Sequence, residues 1–383
     1  MKNSLKTMLL VLSAVLLLNS VALAKKPVRP EPVEPMTEKT IIIRTPENFV
    51  WWDAADTHLE LFKNEGITTI ILLVKNDEDL PHMDSGEVFY DSSIAPKAFD
   101  YQESNLDALR YVGEFCKANG IKLYAWVPQF HDKVVIIKNN SDLQMIWLNP
   151  DTELVEFYNP NNEWFVNPSH PEVQNYQRSI LAEIATNYGH LLTGIYLDWV
   201  RFDDYNMDLS DSVRAKFQAL YGIDPISINF STENDTLLLW NKFREDIIAN
   251  YIIESANLIK SIDPNLEVGI FVLPVAMHEV AQDPSRFEDA IDWVSPMLYN
   301  DDWGYPQSWI YETAISDIME NMSDDSKIIP TLDLQDCGDA ALWQKIIATG
   351  ITRKNCFWYW DWTPETLDMA FPRVLVRGKK EKK

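Results

Sequence analysis

Glycine and cysteine are both scarce in this chain, 12 and 3 among 383 residues. With so little glycine there is no GxGxxG and no phosphate loop, which argues against a nucleotide cradle built from backbone amides. Three cysteines, Cys116, Cys337 and Cys356, are an odd number and do not make a disulfide framework. One bridge is open to them, but Cys116 in a helical segment and Cys356 in a strand read better as small buried hydrophobes. Six histidines, with neither HExxH nor CxxC, offer no metal-ligand spacing, so no metal and no cofactor is expected. The absence of GxSxG speaks against a Ser-His-Asp hydrolase. Positive charge is short as well. Against 58 Asp and Glu stand 33 Lys and Arg, a net charge of −25, which suits solubility and argues against nucleic acid as a partner.

Long apolar runs are confined to the start of the chain. Lys2 and Lys6 precede MLLVLSAVLLL, a run shorter than a bilayer span, and ALA at 22–24 has the small-x-small form of a cleavage site. Residues 1–24 therefore read as a secretory signal peptide cut after Ala24, rather than a retained anchor. No cysteine follows the run to carry a lipid, and no membrane span is expected after cleavage. The product is placed outside the cytoplasm, secreted or in the periplasm or cell envelope. KKPVRPEPVEP opens a Pro-rich linker over 25–39, where spaced prolines favour extended backbone. A single domain is expected over 40–372, followed by a charged tail, 373–383. Oligomeric state has no signature.

Aromatic residues are plentiful, with 14 Trp, 15 Tyr and 16 Phe, and 46% of the chain is hydrophobic, so the class is globular. From residue 40 the pattern alternates. Short apolar, β-branched runs read as strands: IIIR or FVWW, TIILLVK, IKLYAWV, TGIYLDWV, EVGIFVL, WVSPMLY, KIIPTLDL and NCFWYW. Segments such as NLDALRYVGEFCKANG, with apolar residues at steps of three or four and a glycine stop, read as helices. Eight alternating units with no second core predict a (β/α)8 TIM barrel, with an open doubly wound sheet as runner-up. One stretch breaks the rhythm. Residues 131–170 form a long excursion after the third strand, and their Asn-Pro and Asn-Asn punctuation predicts a β-hairpin insertion.

The fourth strand carries the first chemistry. In GIYLDWVRFDD (194–204), alternation puts Ile195, Leu197 and Trp199 on the outer face and Tyr196 and Asp198 on the inner one. Asp198 falls at the C-terminal mouth, where barrel enzymes build their sites. An inward carboxylate there needs a partner, and Arg201 is the nearest in sequence. The bland alternative is an Asp–Arg clamp that only fixes a loop. Later strand ends also carry acids: Asp301 and Asp302 beside Tyr299 and Trp303, Asp333 in TLDLQD, and Asp361 beside Trp360 in WYWDW. Singly, each could be a helix cap. Together they converge on one mouth by topology. Trp126 on the third strand, with Tyr299, Trp303 and Trp360, would offer ring faces for sugar stacking. Trp51 and Trp52 lie near the first strand, and His131 follows WVPQF within reach of a substrate.

These segments resemble the glycosyl hydrolase-like barrels grouped as family 10-like. GIYLDWVRF is similar to their strand-four motif, VNPSHPEV to the segment before the next helix, and DWVSPMLYNDDWG to the strand-six segment. The resemblance spans about residues 40–362 and implies a barrel that acts on or binds polysaccharide. More distantly, strands four, six and eight are similar to those of family 18 chitinases. Asp198 matches the last Asp of the chitinase motif, but Val200 stands where the general-acid Glu would be, which argues against substrate-assisted chitinase chemistry. Asp203 also replaces a frequent Pro, so the loop after Arg201 departs from the motif.

The expectation is an exported glycoside hydrolase cleaving O-glycosidic bonds in a polysaccharide. Asp198 would be the nucleophile or base, oriented by Arg201, and Asp302 the acid. Tyr196, Trp126, Tyr299, Asp301, Trp303, Asp333, Trp360 and Asp361 would bind substrate. The alternative is a non-catalytic polysaccharide-binding barrel of the cell envelope. An architectural domain of an envelope complex has no positive sign.

Overall fold

The computed structural model describes residues 38–372 apart from 80–81, 160–163 and 276. The expected signal peptide, most of the linker and the charged tail lie outside the described residues. Eight parallel strands form one sheet: β1 (Thr40–Ile43), β2 (Thr69–Leu73), β3 (Lys122–Pro128), β6 (Gly194–Asp198), β7 (Glu267–Val272), β8 (Trp293–Pro296), β9 (Thr331–Asp333) and β10 (Asn355–Phe357). Their order, β8-β7-β6-β3-β2-β1-β10-β9, leaves β8 and β9 at the ends. Two parallel bridges, Val294 to Ile328 and Met297 to Thr331, draw those ends together. The result is the expected (β/α)8 barrel.

Every residue of β1, β2 and β6 is buried, as parallel strands covered on both faces must be. Ile42, Ile71, Leu73, Tyr124, Trp126, Tyr196 and Phe271 form a common core of alternate strand positions. Gly269 on β7 makes room for it. A Cβ there would lie 2.5 Å from Cζ of Tyr196, so the tyrosine ring can cross the barrel only against a glycine. Of the two candidates for the first strand, IIIR is right. Trp52 instead opens the helix Trp52–Asn64.

The excursion after β3 holds the expected hairpin, β4 (Ile146–Leu148) antiparallel to β5 (Val155–Phe157). It is stitched to the loop that leaves β6: Leu148 N donates to Asn206 O at 3.1 Å and Leu209 N to Ile146 O at 2.9 Å. That loop is held from below by Arg244, fully buried in the helix Asp235–Ile262. Its guanidinium donates to the carbonyls of Asp204 at 2.7 Å, Met207 at 3.0 Å and Glu279 at 2.8 Å.

The expectation for the cysteines needs correction. Cys337 and Cys356 form a disulfide with Cα atoms 5.8 Å apart. The short helix after β9, Leu334–Cys337, folds back beside β10, and adjacency of the two strands makes the pair that sequence distance concealed. Cys116 is free and buried, as expected.

Candidate active site

A cavity of about 300 Å³ opens at the C-terminal ends of the barrel strands. Arg44 reaches it from the end of β1, Asp77 and Glu78 from the end of β2, and Trp126 and His131 from β3 and its loop. Asp198, Trp199 and Arg201 enter from β6, and Phe271 from β7. Met297, Tyr299 and Asp302 follow β8, while Phe357 and Tyr359 come from β10.

Asp198 is 5% exposed. Its Oδ2 accepts from the indole Nε1 of Trp126 at 2.8 Å, and its Oδ1 from the backbone N–H of Trp199 at 2.7 Å. Register explains the first contact, because β3 and β6 pair Trp126 with Tyr196 and Pro128 with Asp198. Burial pushes the carboxyl up to about 7, with Asp77 adding repulsion and the two N–H donors and Arg201 opposing. Asp302 lines the same cavity from the solvent side and makes no hydrogen bond or ion pair among the described residues.

Two expectations about the β6 terminus fail. Arg201 is not the hydrogen-bonded partner of Asp198. Its Nη1 lies 2.7 Å from Asp203 Oδ1, and its guanidinium sits 4.2 Å over the Trp199 ring. Nor does Trp199 face outward. Its φ of +52° breaks strand alternation at that residue and turns the indole into the cavity wall.

Of the other predicted residues, Trp126, Tyr299 and Arg201 line the cavity, and the rest stand back from it. Tyr196 is packed in the barrel interior, edge-on to Tyr124 at 5.3 Å. Asp333 caps the helix Leu334–Cys337 by accepting from Asp336 N at 3.1 Å, and burial raises it to about 6. Asp301 is exposed and accepts from Asn300 Nδ2 at 3.1 Å. Trp303 packs behind Tyr299, with ring centroids 5.8 Å apart. Asp361 pairs with His58 on the outer side, and Trp360 stands on the rim, 59% exposed. Trp51 is exposed at the start of its helix, and the Trp52 indole donates to Ser104 O at 3.0 Å. Tyr196 and Asp333 belong to their strands, and the others lie well past a strand end, where alternation no longer orders side chains.

The residues that sequence reasoning missed sit on the earlier strands. Arg44 Nη2 lies 3.0 Å from Asp77 Oδ1 and 3.2 Å from Glu78 Oε1, with its guanidinium 4.8 Å over the Tyr359 ring. Burial opposes its charge, but Asp77, Glu78 and Glu47 outweigh that and raise its pKa. The signal was available. IIIR and LLVKNDE end apolar runs in charge just as GIYLD does.

His131 is buried rather than solvated. Its ring stacks on Phe165 at 4.9 Å and 9° and meets Trp199 edge-on at 5.1 Å. Nε2 lies 3.6 Å from Asp79 Oδ2, beyond hydrogen-bond length. Neither ring nitrogen nor Asp79 Oδ2 has a hydrogen-bond partner among the described residues. The cavity wall at His131 is therefore backed by a buried donor and acceptor that do not pair. Behind it Lys75 and Asp132, both fully buried, meet at 2.7 Å.

An eight-stranded barrel with aromatic walls and carboxylates gathered at its C-terminal mouth has the layout of a glycosidase-type barrel. The chain belongs to the family described as "Putative glycosyl hydrolase domain", whose model matches residues 48–327. Among solved structures it is similar to a β-galactosidase from Bacillus circulans sp. alkalophilus, with TM-score 0.60 and 14% identity over 85% of this chain and 50% of that one. The catalytic domain of a Paenibacillus polymyxa β-amylase gives TM-score 0.57 and 11% identity over 89% and 99%. Gan42B, a GH42 β-galactosidase, gives 0.56 and 10% over 85% and 51%. At these identities the likeness is one of fold, and the chain spans about half the length of the two β-galactosidases. A 58-residue stretch, 15% of this chain, is 40% identical to 4% of an S-layer-related protein of Niallia circulans. No helix among the described residues is long and apolar enough to cross a membrane.

Proposed function

We propose that the protein is an exported glycoside hydrolase cleaving O-glycosidic bonds in a polysaccharide, with Asp198 as proton donor and Asp302 as base or nucleophile. The observation that carries this reading is Asp198 itself, buried at the cavity wall with a pKa pushed to about 7. A carboxyl group in that state keeps its proton near neutral pH and can give it to a leaving oxygen. The roles are thus the reverse of those suggested by sequence. Asp198 is the buried carboxyl of the two, and Asp302 is the one exposed to solvent. Tyr299 and Trp126 wall the sugar site. Arg44, held by Asp77 and Glu78, presents cationic N–H groups nearby. The resemblance of GIYLDWVRF and DWVSPMLYNDDWG supports a family 10-like subgroup. The Cys337–Cys356 bridge supports export, because such bonds persist in oxidising compartments. The leader at 1–24, the linker at 25–39 and the tail at 373–383 complete that reading.

Leaving-group dependence tests the assignment. D198N is expected to lose about 10²–10⁴-fold in kcat on polysaccharide, yet to keep substantial activity on dinitrophenyl glycosides, whose leaving group needs no proton. D302N is expected to lose both. For the unaltered protein, kcat falls as pH rises through about 7. Near-normal polysaccharide hydrolysis by D198N would remove Asp198 from the chemistry. Binding without turnover by the unaltered protein would leave the non-catalytic polysaccharide-binding barrel.

A further inference from the structure

We infer that a track of aromatic rings leading out of the cavity to Trp360 and Tyr305 is an outer binding site for a polysaccharide chain. The inference rests on reading the cavity as a sugar site and adds where the rest of the polymer lies. Tyr299 and Phe357, both cavity walls, have ring centroids 5.2 Å apart. From Phe357 the rings continue to Tyr359 at 6.3 Å and on to Trp360 at 4.9 Å. From Tyr299 a second branch passes to Trp303 at 5.8 Å, Trp309 at 5.8 Å and Tyr305 at 4.7 Å, the last pair parallel within 12°. Both branches surface, with Trp360 59% and Tyr305 41% exposed.

Exposed large rings are ordinary when isolated and informative when contiguous with a site. These two are also held in place. Tyr305 N donates to Asn300 O at 2.8 Å and Asn300 Nδ2 to Tyr305 O at 3.1 Å, closing a loop that turns at Gly304, φ +72°. On the other branch Trp358 Nε1 donates to Asp361 O at 3.1 Å. Two residues beyond Trp360, the buried Trp362 donates its Nε1 to Ile42 O at 2.9 Å. A ring face fixed before binding loses little conformational freedom when a ligand covers it. The C–H faces of pyranose rings are apolar surfaces of matching size. A ligand that fills the cavity and reaches both ends is a polymer, not a monosaccharide.

The test is native affinity electrophoresis of the whole protein through gels containing mixed-linkage β-glucan, β-1,4-galactan, xylan, soluble starch or glycol chitin. It requires no turnover. The unaltered protein is expected to be retarded by at least one polymer. W360A and Y305A are each expected to weaken that retention about 3- to 10-fold, and the double variant further, while W360F retains most of it. Thermal midpoints should hold, because both rings are exposed. Hydrolysis of an aryl monoglycoside, which occupies only the cavity, should stay within about 2-fold. Retardation by none of the polymers, or equal retardation of the double variant, overturns the outer site. The two readings fail separately. Trp360-dependent retention without any hydrolysis sinks the hydrolase and spares this site. Hydrolysis with retention indifferent to both rings does the opposite.

Discussion

Asp198 is a carboxyl group whose neighbours disagree about its charge. Two N–H donors favour the ionised form, while burial and Asp77 oppose it and prevail, giving about 7 against an ordinary 3.8. The folded state therefore binds a proton more tightly than the unfolded chain. Its contribution to stability is complete below about 4 and is lost as pH rises through about 7. At about 1.4 kcal/mol per unit, the whole shift is on the order of 4 kcal/mol. Urea midpoints of the unaltered protein and D198N, measured at pH 5 and pH 8, should diverge by about 2–4 kcal/mol in favour of the variant at the higher pH. Parallel behaviour of the two proteins would contradict the burial account. His131 and Asp79 make the second residue-scale case. Buried 3.6 Å apart, the two leave each other's hydrogen-bonding roles unfilled. H131F keeps the stack on Phe165 and removes the donor. Because it removes two buried nitrogens that have no partner, it should leave the thermal midpoint unchanged or raise it, and a clearly lower midpoint would show that His131 is paired in solution.

The elements that matter most for the site are strand ends and the loops leaving them. Lys75 follows β2, and Asp132 follows β3. Their buried pair is completed by Lys75 Nζ donating to Pro128 O at 2.8 Å and Gln177 Nε2 donating to Asp132 Oδ2 at 2.7 Å. The knot stands directly behind Asp77 on one loop and His131 on the other, so it fixes the two against each other. K75M leaves a carboxylate buried without its counter-ion and should cost about 3–5 kcal/mol, read from denaturant midpoints, whereas K75M with D132L should recover much of that loss. An undiminished K75M would show that the pair does not hold these loops. The same logic applies to the hairpin β4–β5. Isolated, two three-residue strands would not persist. Paired with the loop after β6 they are held in place, and Arg244 anchors that loop through the carbonyls of Asp204 and Met207.

At the scale of the whole molecule, the fold was open to reading and the site only in part. All eight strand segments were visible as apolar, β-branched runs, because a parallel strand buried on both faces admits little else. The hairpin was visible as a break in that rhythm. Asp198, Asp302, Trp126, Tyr299 and Arg201 were found by asking which polar residues end a strand. Arg44, Asp77 and Glu78 would have answered the same question but were not asked it. Trp199, the Cys337–Cys356 bridge and the burial of His131, which the sequence placed only within reach of a substrate, lay beyond any such rule. Whether His131 is solvated depends on Phe165, a residue 34 positions on. Trp199 enters the cavity through one backbone torsion, and the bridge needs β9 and β10 side by side. Hydrophobic periodicity, which is local, settled in the sequence alone that this chain closes into a barrel with acids at its mouth. Which acid is buried, what each charge pairs with and which rings reach solvent were decided only by the tertiary structure, because desolvation and contact depend on neighbours that the chain brings together from far apart.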